Sequence, residues 1–313
     1  MIVVCGEALV DMFVALDGTL TVSAKAGGSP FNVALGLARL DMPSSFFGGL
    51  ADDLFGRHLR DCLQREGVDL SAAPQPAART ALACVALDAQ GSPTYGFYCE
   101  STAERMVTSA DLARLPASID ALHLGSYCMV AEPVASTQRE LVQRQRGHSL
   151  IAYDPNVRLG IEPCLDTWRS TLDWMARQVD LLKVSEEDLA CLFPGLSIDA
   201  FMTRMLEAGV ALVVVTRGAH GVLAQSASGV SARLPANPVE VVDTVGAGDS
   251  FQAALIAWLV QHGVAGAHAA AALRALDQAA LLEALAFATT AAALTCGRRG
   301  ADLPTTAQIA RAR

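Results

Sequence analysis

The residues best suited to chemistry in this 313-residue chain lie in the run Asp243-Thr-Val-Gly-Ala-Gly-Asp249. Gly246 and Gly248 permit backbone shapes closed to most residues. Asp249 opens an apolar helical pattern through Phe251, Leu255, Ile256 and Leu259. The amides of Gly246, Ala247, Gly248 and Asp249 would then converge at the positive end of a helix, a natural seat for an anion. Amides can take up the charge on a transferring phosphoryl group, and a carboxylate beside them can accept the proton of an attacking hydroxyl. The same residues also make an ordinary helix cap, because Asp is a favoured N-cap. The run is no Walker A loop, since Lys and Ser/Thr do not follow the last glycine. It also lacks the βαβ setting and downstream acid of a dinucleotide fingerprint.

Further polar groups recur along the chain. Asp11, Gly27, Gly28 and Asn32 combine carboxylate and amide groups able to hold hydroxyls with glycines that admit a ligand to the backbone. Their alternative is a solvent-facing Asp and a helix-start Asn. Asp154-Pro-Asn-Val-Arg158, Lys183-Val-Ser-Glu-Glu-Asp188 and Thr216-Arg-Gly-Ala-His-Gly221 each follow an apolar, strand-like run. Ser185 with the acids after it also suits a helix N-terminus. The six histidines show no zinc-like spacing.

The elements that position these groups alternate. Strands are expected at 1–9, 44–50, 121–125, 149–154, 181–184 and 211–216. Helices are expected at 32–40, 53–66, 133–145, 164–178, 186–193, 198–208 and 248–261, with two Ala-rich helices later. In the 53–66 helix, Leu54, Leu59 and Leu63 are expected to face inward. Such alternation predicts an α/β fold with a mainly parallel sheet covered on both faces. Ligands in such folds sit beyond the carboxyl ends of the strands, where most of the polar runs fall. The 15–26 segment and a hairpin of 80–87 with 94–99, turning at Asp88-Ala-Gln-Gly91, predict a small second sheet.

Composition narrows the classes. A net charge of −9 argues against nucleic acid or anionic lipid as a partner. Apolar residues at 52% argue against disorder. Eight cysteines without a CxxC pair read as free thiols in a reducing compartment, with a disulfide or a reactive Cys99 as the alternative. The N-terminal apolar run is interrupted by Glu7 and Asp11, unlike a signal peptide, and Ala279–Leu294 is too short and acidic for a membrane span. A cytoplasmic protein without a membrane partner is expected.

Gly27-Gly-Ser-Pro-Phe-Asn-Val-Ala34 and Asp243-Thr-Val-Gly-Ala-Gly-Asp249 resemble the two signatures of the ribokinase/PfkB sugar kinases, in order and far apart. The resemblance covers the whole chain. It implies a ribokinase-like three-layer sandwich, one domain over 1–313, with a mainly parallel central sheet and a small β lid from about 12–26 and 80–100. It implies ATP-dependent phosphorylation of a sugar hydroxyl, with Asp249 as base and the amides of Gly246, Ala247 and Gly248 as anion hole. Asp11, Gly27, Gly28 and Asn32 match sugar-binding positions, joined by Arg79 and Tyr98 from the lid and by Asn156 and Arg158. The segment from Lys183 matches one that organises Mg2+ through water, with Ser185 and Asp188 at its key positions and Glu187 as the alternative acid. Thr216, Gly218 and Gly221 match a loop along the ATP phosphates. Thr295 and Gly297 fall in the region lining adenine. Asp243 and the backbone of Val245 match part of a K+ site.

Cys5-Gly-Glu-Ala-Leu-Val-Asp11 and Phe97-Tyr98 resemble the fructokinase branch, which makes D-fructose the leading substrate. That branch often carries Arg where this chain has Cys99, and Ala-Asp where it has Ala103-Glu104. 2-Keto-3-deoxygluconate kinase, ribokinase and nucleoside kinase are the rivals. A non-catalytic sugar-binding protein and a dinucleotide-dependent oxidoreductase are the rivals from other classes. The resemblance also implies a homodimer through the lid.

Overall fold

The computed structural model describes residues 1–16, 20–87 and 93–313. The strands are β1 (Ile2–Cys5), β2 (Leu9–Leu16), β3 (Leu20–Gly27), β4 (Ser44–Phe47), β5 (Ala81–Leu87), β6 (Pro93–Tyr98), β7 (Ala121–Gly125), β8 (Leu150–Asp154), β9 (Leu181–Ser185), β10 (Leu212–Thr216), β11 (Val222–Ser226) and β12 (Ser231–Leu234). The helices before β10 are α1 (Ser29–Arg39), α2 (Leu54–Arg65), α3 (Val134–Gln145), α4 (Leu165–Met175), α5 (Glu186–Leu192) and α6 (Ile198–Ala208). After β12 come α7 (Ala247–Gln261), α8 (Ala269–Ala275), α9 (Gln278–Cys296) and α10 (Thr306–Ala312).

Eight strands form the main sheet in the order β12-β11-β10-β9-β8-β7-β1-β4. From β4 to β10 every neighbouring pair is parallel, while β11 and β12 close the edge antiparallel. The parallel strands read as continuous apolar runs because both faces are covered. In β1, Ile2 and Val4 join the core beneath α1, α7 and α9, while Val3 and Cys5 join the core beneath α3, α4 and α6. Leu212 and Val214 of β10 divide from Val213 and Val215 in the same way. This is a ribokinase-like sandwich with a small second sheet, in which β3-β2-β5-β6 form the lid.

Several boundaries differ from the sequence-based expectation. The first strand stops at Cys5, and Leu9 already belongs to the lid. Gly6 separates the two at φ 143°, a conformation L side chains rarely adopt. Leu54 is 71% exposed rather than inward-facing. It lies five residues before buried Leu59, about 140° around a 3.6-residue helix. The hairpin turn at 88–91 and part of the 15–26 segment lie outside the described residues. The last long helix, α9, has 19 residues and is apolar enough by length and composition to cross a membrane. Leu281, Ala284, Leu285, Ala288 and Ala291 of that helix are instead buried in the core that α7 shares. Helix α10 follows it, opened by a capping box between Thr305 and Gln308.

Candidate active site

Helices α1 and α7 bring the two glycine-rich runs together. Gly36 allows the close approach: a Cβ there would lie 2.8 Å from Ala253 Cβ and 2.5 Å from Leu303 Cδ2. Four residues earlier in each helix, Asn32 meets Asp249. The helices therefore run side by side in the same sense, and both positive ends point at one place. Ser29 Oγ donates to Asp249 Oδ1 at 2.6 Å, and Asn32 Nδ2 donates to Oδ2 at 2.7 Å. These bonds span 220 and 217 residues of sequence. Burial raises the Asp249 carboxyl above the usual carboxylate range, against the bonds from Ser29 and Asn32 and the Lys183 charge. Each carboxylate oxygen keeps a further accepting position for a substrate hydroxyl. Asn32, expected to touch sugar, thus orients the acid. Ser29 lies in the sequence only as part of the Gly27-Gly-Ser-Pro30 turn, and nothing local marks it as a partner of the acid.

Gly246 caps α7 in the left-handed conformation at φ 81°. A Cβ on it would fall 2.5 Å from Ala301 Cβ, so this corner admits only glycine without rearrangement. Ala247 and Gly248 follow in the first turn, whose amides lack helical acceptors. Behind Gly248 stands Lys183, whose Nζ would lie 3.3 Å from a Cβ there. Lys183 is buried and donates to Asp154 Oδ2 at 2.6 Å. Burial opposes its charge, but Asp154, with Asp188 and Asp249 beyond, holds its pKa above the usual lysine value. Asp154 Oδ1 is buried and, among the described residues, has no hydrogen-bond partner. The cradle thus has a positively charged floor.

The lid supplies the opposite wall. Register places Asp11 of β2 opposite Lys25 of β3 and beside Ala83 of β5, which pairs with Phe97 of β6. These four residues share one face of the lid sheet. Gly27 leaves the space that the Asp11 carboxylate occupies, and Gly28, at φ 105°, lies against the Glu7 carbonyl. Burial raises Asp11 to about 6, with Arg158 opposing the shift and Asp249 adding to it. Phe97 lies over Gly160, where a Cβ would be 2.5 Å from its ring. Tyr98, the expected substrate contact, pairs with Leu82 on the other lid face and is 65% exposed. Strand alternation makes Phe97, not Tyr98, the aromatic of this wall. Arg79 is exposed at the foot of the lid, and its carbonyl accepts from Ala103 N.

The loops after β8, β9 and β10 complete the crevice. Asn156 adopts φ 41°, which asparagine tolerates better than most residues. Asp188 Oδ1 accepts from Val157 N at 3.1 Å and so fixes the loop that carries Asn156 and Arg158. Arg158 is exposed, yet its charge acts on Glu7, Asp11 and Asp188. Ser185 caps α5 by accepting from Asp188 N. Glu187 is exposed on α5, so Asp188 is the acid turned toward Lys183. Among the described residues no cage of three or more His, Cys, Asp or Glu side chains exists. Asp188 and the unpartnered oxygen of Asp154 fit Mg2+, which binds through one or two carboxylates, waters and substrate phosphates.

Thr216 ends β10 beside Ser185, and Gly218 and Gly221 turn the chain with positive φ. Asp243 Oδ1 accepts from Val245 N and Oδ2 from Gly300 N, tying the loop before α7 to the turn after α9. Gly297 is exposed in that turn. Thr295 is not on the crevice wall: it is fully buried, and its hydroxyl donates to Ala291 O within α9.

Sequence and structure comparisons agree with this geometry. Residues 1–308 match the model of the pfkB family carbohydrate kinases. A fructokinase of Rhizobium leguminosarum bv. trifolii is 38% identical over 268 residues, 83% of this chain and 79% of that protein. The crystal structure of a fructokinase from Xylella fastidiosa with bound ATP superposes with a TM-score of 0.88 at 26% identity, covering 99% of this chain and 97% of that one. An aminoimidazole riboside kinase from Salmonella enterica, complexed with aminoimidazole riboside and an ATP analogue, gives 0.82 at 26% identity, with 99% of each chain covered. With both signatures meeting at Asp249 and the family match spanning nearly the whole chain, this protein belongs to the pfkB family of carbohydrate kinases.

Proposed function

We propose that the chain transfers the terminal phosphoryl group of ATP to the 6-hydroxyl of D-fructose. The observation that carries this reading is the meeting of Asp249 with Ser29 and Asn32 at two helix N-termini. Asp249 takes the proton of the attacking hydroxyl as transfer proceeds. Amides of Gly246, Ala247, Gly248 and Asp249 receive the charge on the phosphoryl oxygens, with Lys183 behind them. Asp11 accepts from sugar hydroxyls, and Phe97 with Arg158 closes the sugar side. The loop of Thr216, Gly218 and Gly221 and the turn at Gly297 flank the nucleotide. Mg2+ carried on the phosphates beside Asp188 and Asp154 would supply charge neutralisation, and K+ beside Asp243 and the Val245 carbonyl is part of the same reading. Closure of the lid over the sugar keeps water from competing as acceptor.

Fructose leads because the relative at 38% identity is a fructokinase. The structural likeness to an aminoimidazole riboside kinase makes that riboside the competitor to test. A homodimer through the lid and a cytoplasmic setting, suited to eight free cysteines, belong to the same proposal. The test is a panel of fructose, ribose, 2-keto-3-deoxygluconate and aminoimidazole riboside with ATP and Mg2+. The expected result is the highest kcat/KM with fructose and fructose 6-phosphate as product. A higher kcat/KM for the riboside would overturn the substrate assignment while leaving the kinase assignment standing.

A further inference from the structure

Lys25 is unused by the site as described. It stands on β3 directly opposite Asp11, on the lid face turned to the crevice. Opposite charges at such a cross-strand position ordinarily pair. Here, among the described residues, no carboxylate lies within ion-pair distance of Lys25, and the charge acting on Asp11 is that of Arg158. The side chain instead folds along the turn after α9. A Cβ on Gly300 would lie 2.8 Å from Lys25 Nζ and 3.4 Å from its Cδ. Its other neighbour is the Phe13 ring, with Nζ 5.9 Å from the centroid.

Position gives this lysine its meaning. Gly300 donates its amide to Asp243, the first residue of the cradle run, and the next residue, Ala301, packs on Gly246 at the cradle's corner. The ammonium is therefore held over the backbone that shapes the anion site, half-buried and, among the described residues, without a carboxylate partner. Lys183 approaches the cradle from the sheet side, its ammonium already paired with Asp154. Lys25 approaches from the lid side with its charge uncommitted.

We propose that Lys25 is a lid-borne ligand of the terminal phosphoryl group of the nucleoside triphosphate held in the cradle. This deepens the kinase reading and rests on it. Such a contact makes the lid sense the nucleotide: β3, the strand paired with the one that carries Asp11, is then drawn to the group being transferred. A lysine serves here as a compact, flexible point charge able to follow a phosphoryl group as it moves.

The test is calorimetric binding of a nonhydrolysable ATP analogue and of ADP, each with Mg2+, to the wild type, Lys25→Met and Lys25→Arg. Loss of one charge-assisted hydrogen bond predicts that Lys25→Met weakens the triphosphate analogue by about tenfold to a hundredfold. ADP should bind within about twofold of wild type, and Lys25→Arg should recover most of the loss because it keeps the charge. Equal weakening of both nucleotides would make Lys25 a structural latch on the Gly300 turn and overturn the proposal, as would unchanged binding of both. Wild type that binds neither nucleotide would instead bring down the kinase reading, and the role of Lys25 with it.

Discussion

In the proposed mechanism Asp11 and Asp249 act as carboxylates, and burial works against the ionisation of both. Asp11 is raised to about 6, so as pH falls through that value it gains a proton, loses its charge and turns one accepting oxygen into a donor. The kcat/KM for sugar should therefore fall below about pH 6, and Asp11→Asn should raise sugar KM by about tenfold or more. An acid limb unchanged in Asp11→Asn would assign it to another group. Glu7 illustrates the stability side. Burial lifts it from 4.5 to about 7, and among the described residues one of its oxygens has no partner. The folded state thus holds a proton that the unfolded chain releases earlier. Glu7 favours folding below pH 4.5, and that contribution is lost as pH rises through about 7. Glu7→Gln should consequently stabilise the protein at pH 8 relative to pH 5, by on the order of 3 kcal/mol at most. Melting curves at the two pH values would show it, and an equal shift at both would refute it.

At the scale of elements, the site depends on two helices in contact and one lid strand in the right phase. Gly36→Val should press on Ala253 and Leu303, cost about 1–3 kcal/mol of stability, and reduce turnover by separating Asn32 from Asp249. The lid offers a sharper comparison. Phe97→Ala should weaken sugar binding by about tenfold, since it strips apolar cover from Gly160 and the crevice, whereas Tyr98→Ala should leave it within about twofold. The reverse pattern would mean that β6 is read in the wrong register. Nearly every helix and strand was legible from apolar period and turn residues, because each is a local pattern. The phase of Tyr98 was not, since both faces of this short strand carry aromatic or apolar residues. Leu54 departs from its expected inward orientation for a related reason: it extends an apolar series without sharing its face. Thr295 showed the same limit, because a threonine near a glycine turn gives no sign that its hydroxyl is spent on the helix behind it.

Across the whole molecule, residues more than two hundred positions apart make one site. The signatures at 27–34 and 243–249 announced a shared function, and their contact through Ser29, Asn32 and Asp249 is what the fold adds. No local pattern contains that contact, for it requires α1 and α7 to run in the same sense over the same face of the sheet. The lid adds Asp11 and Lys25 from the other side, on one face of its sheet. The central claim is that Asp249 takes the proton from the sugar hydroxyl. The most direct measurement is steady-state turnover of fructose with ATP and Mg2+ by wild type and Asp249→Asn, beside nucleotide binding by calorimetry. The substitution should lower kcat by about a thousandfold or more while nucleotide binding persists; near-normal turnover in Asp249→Asn would contradict the account.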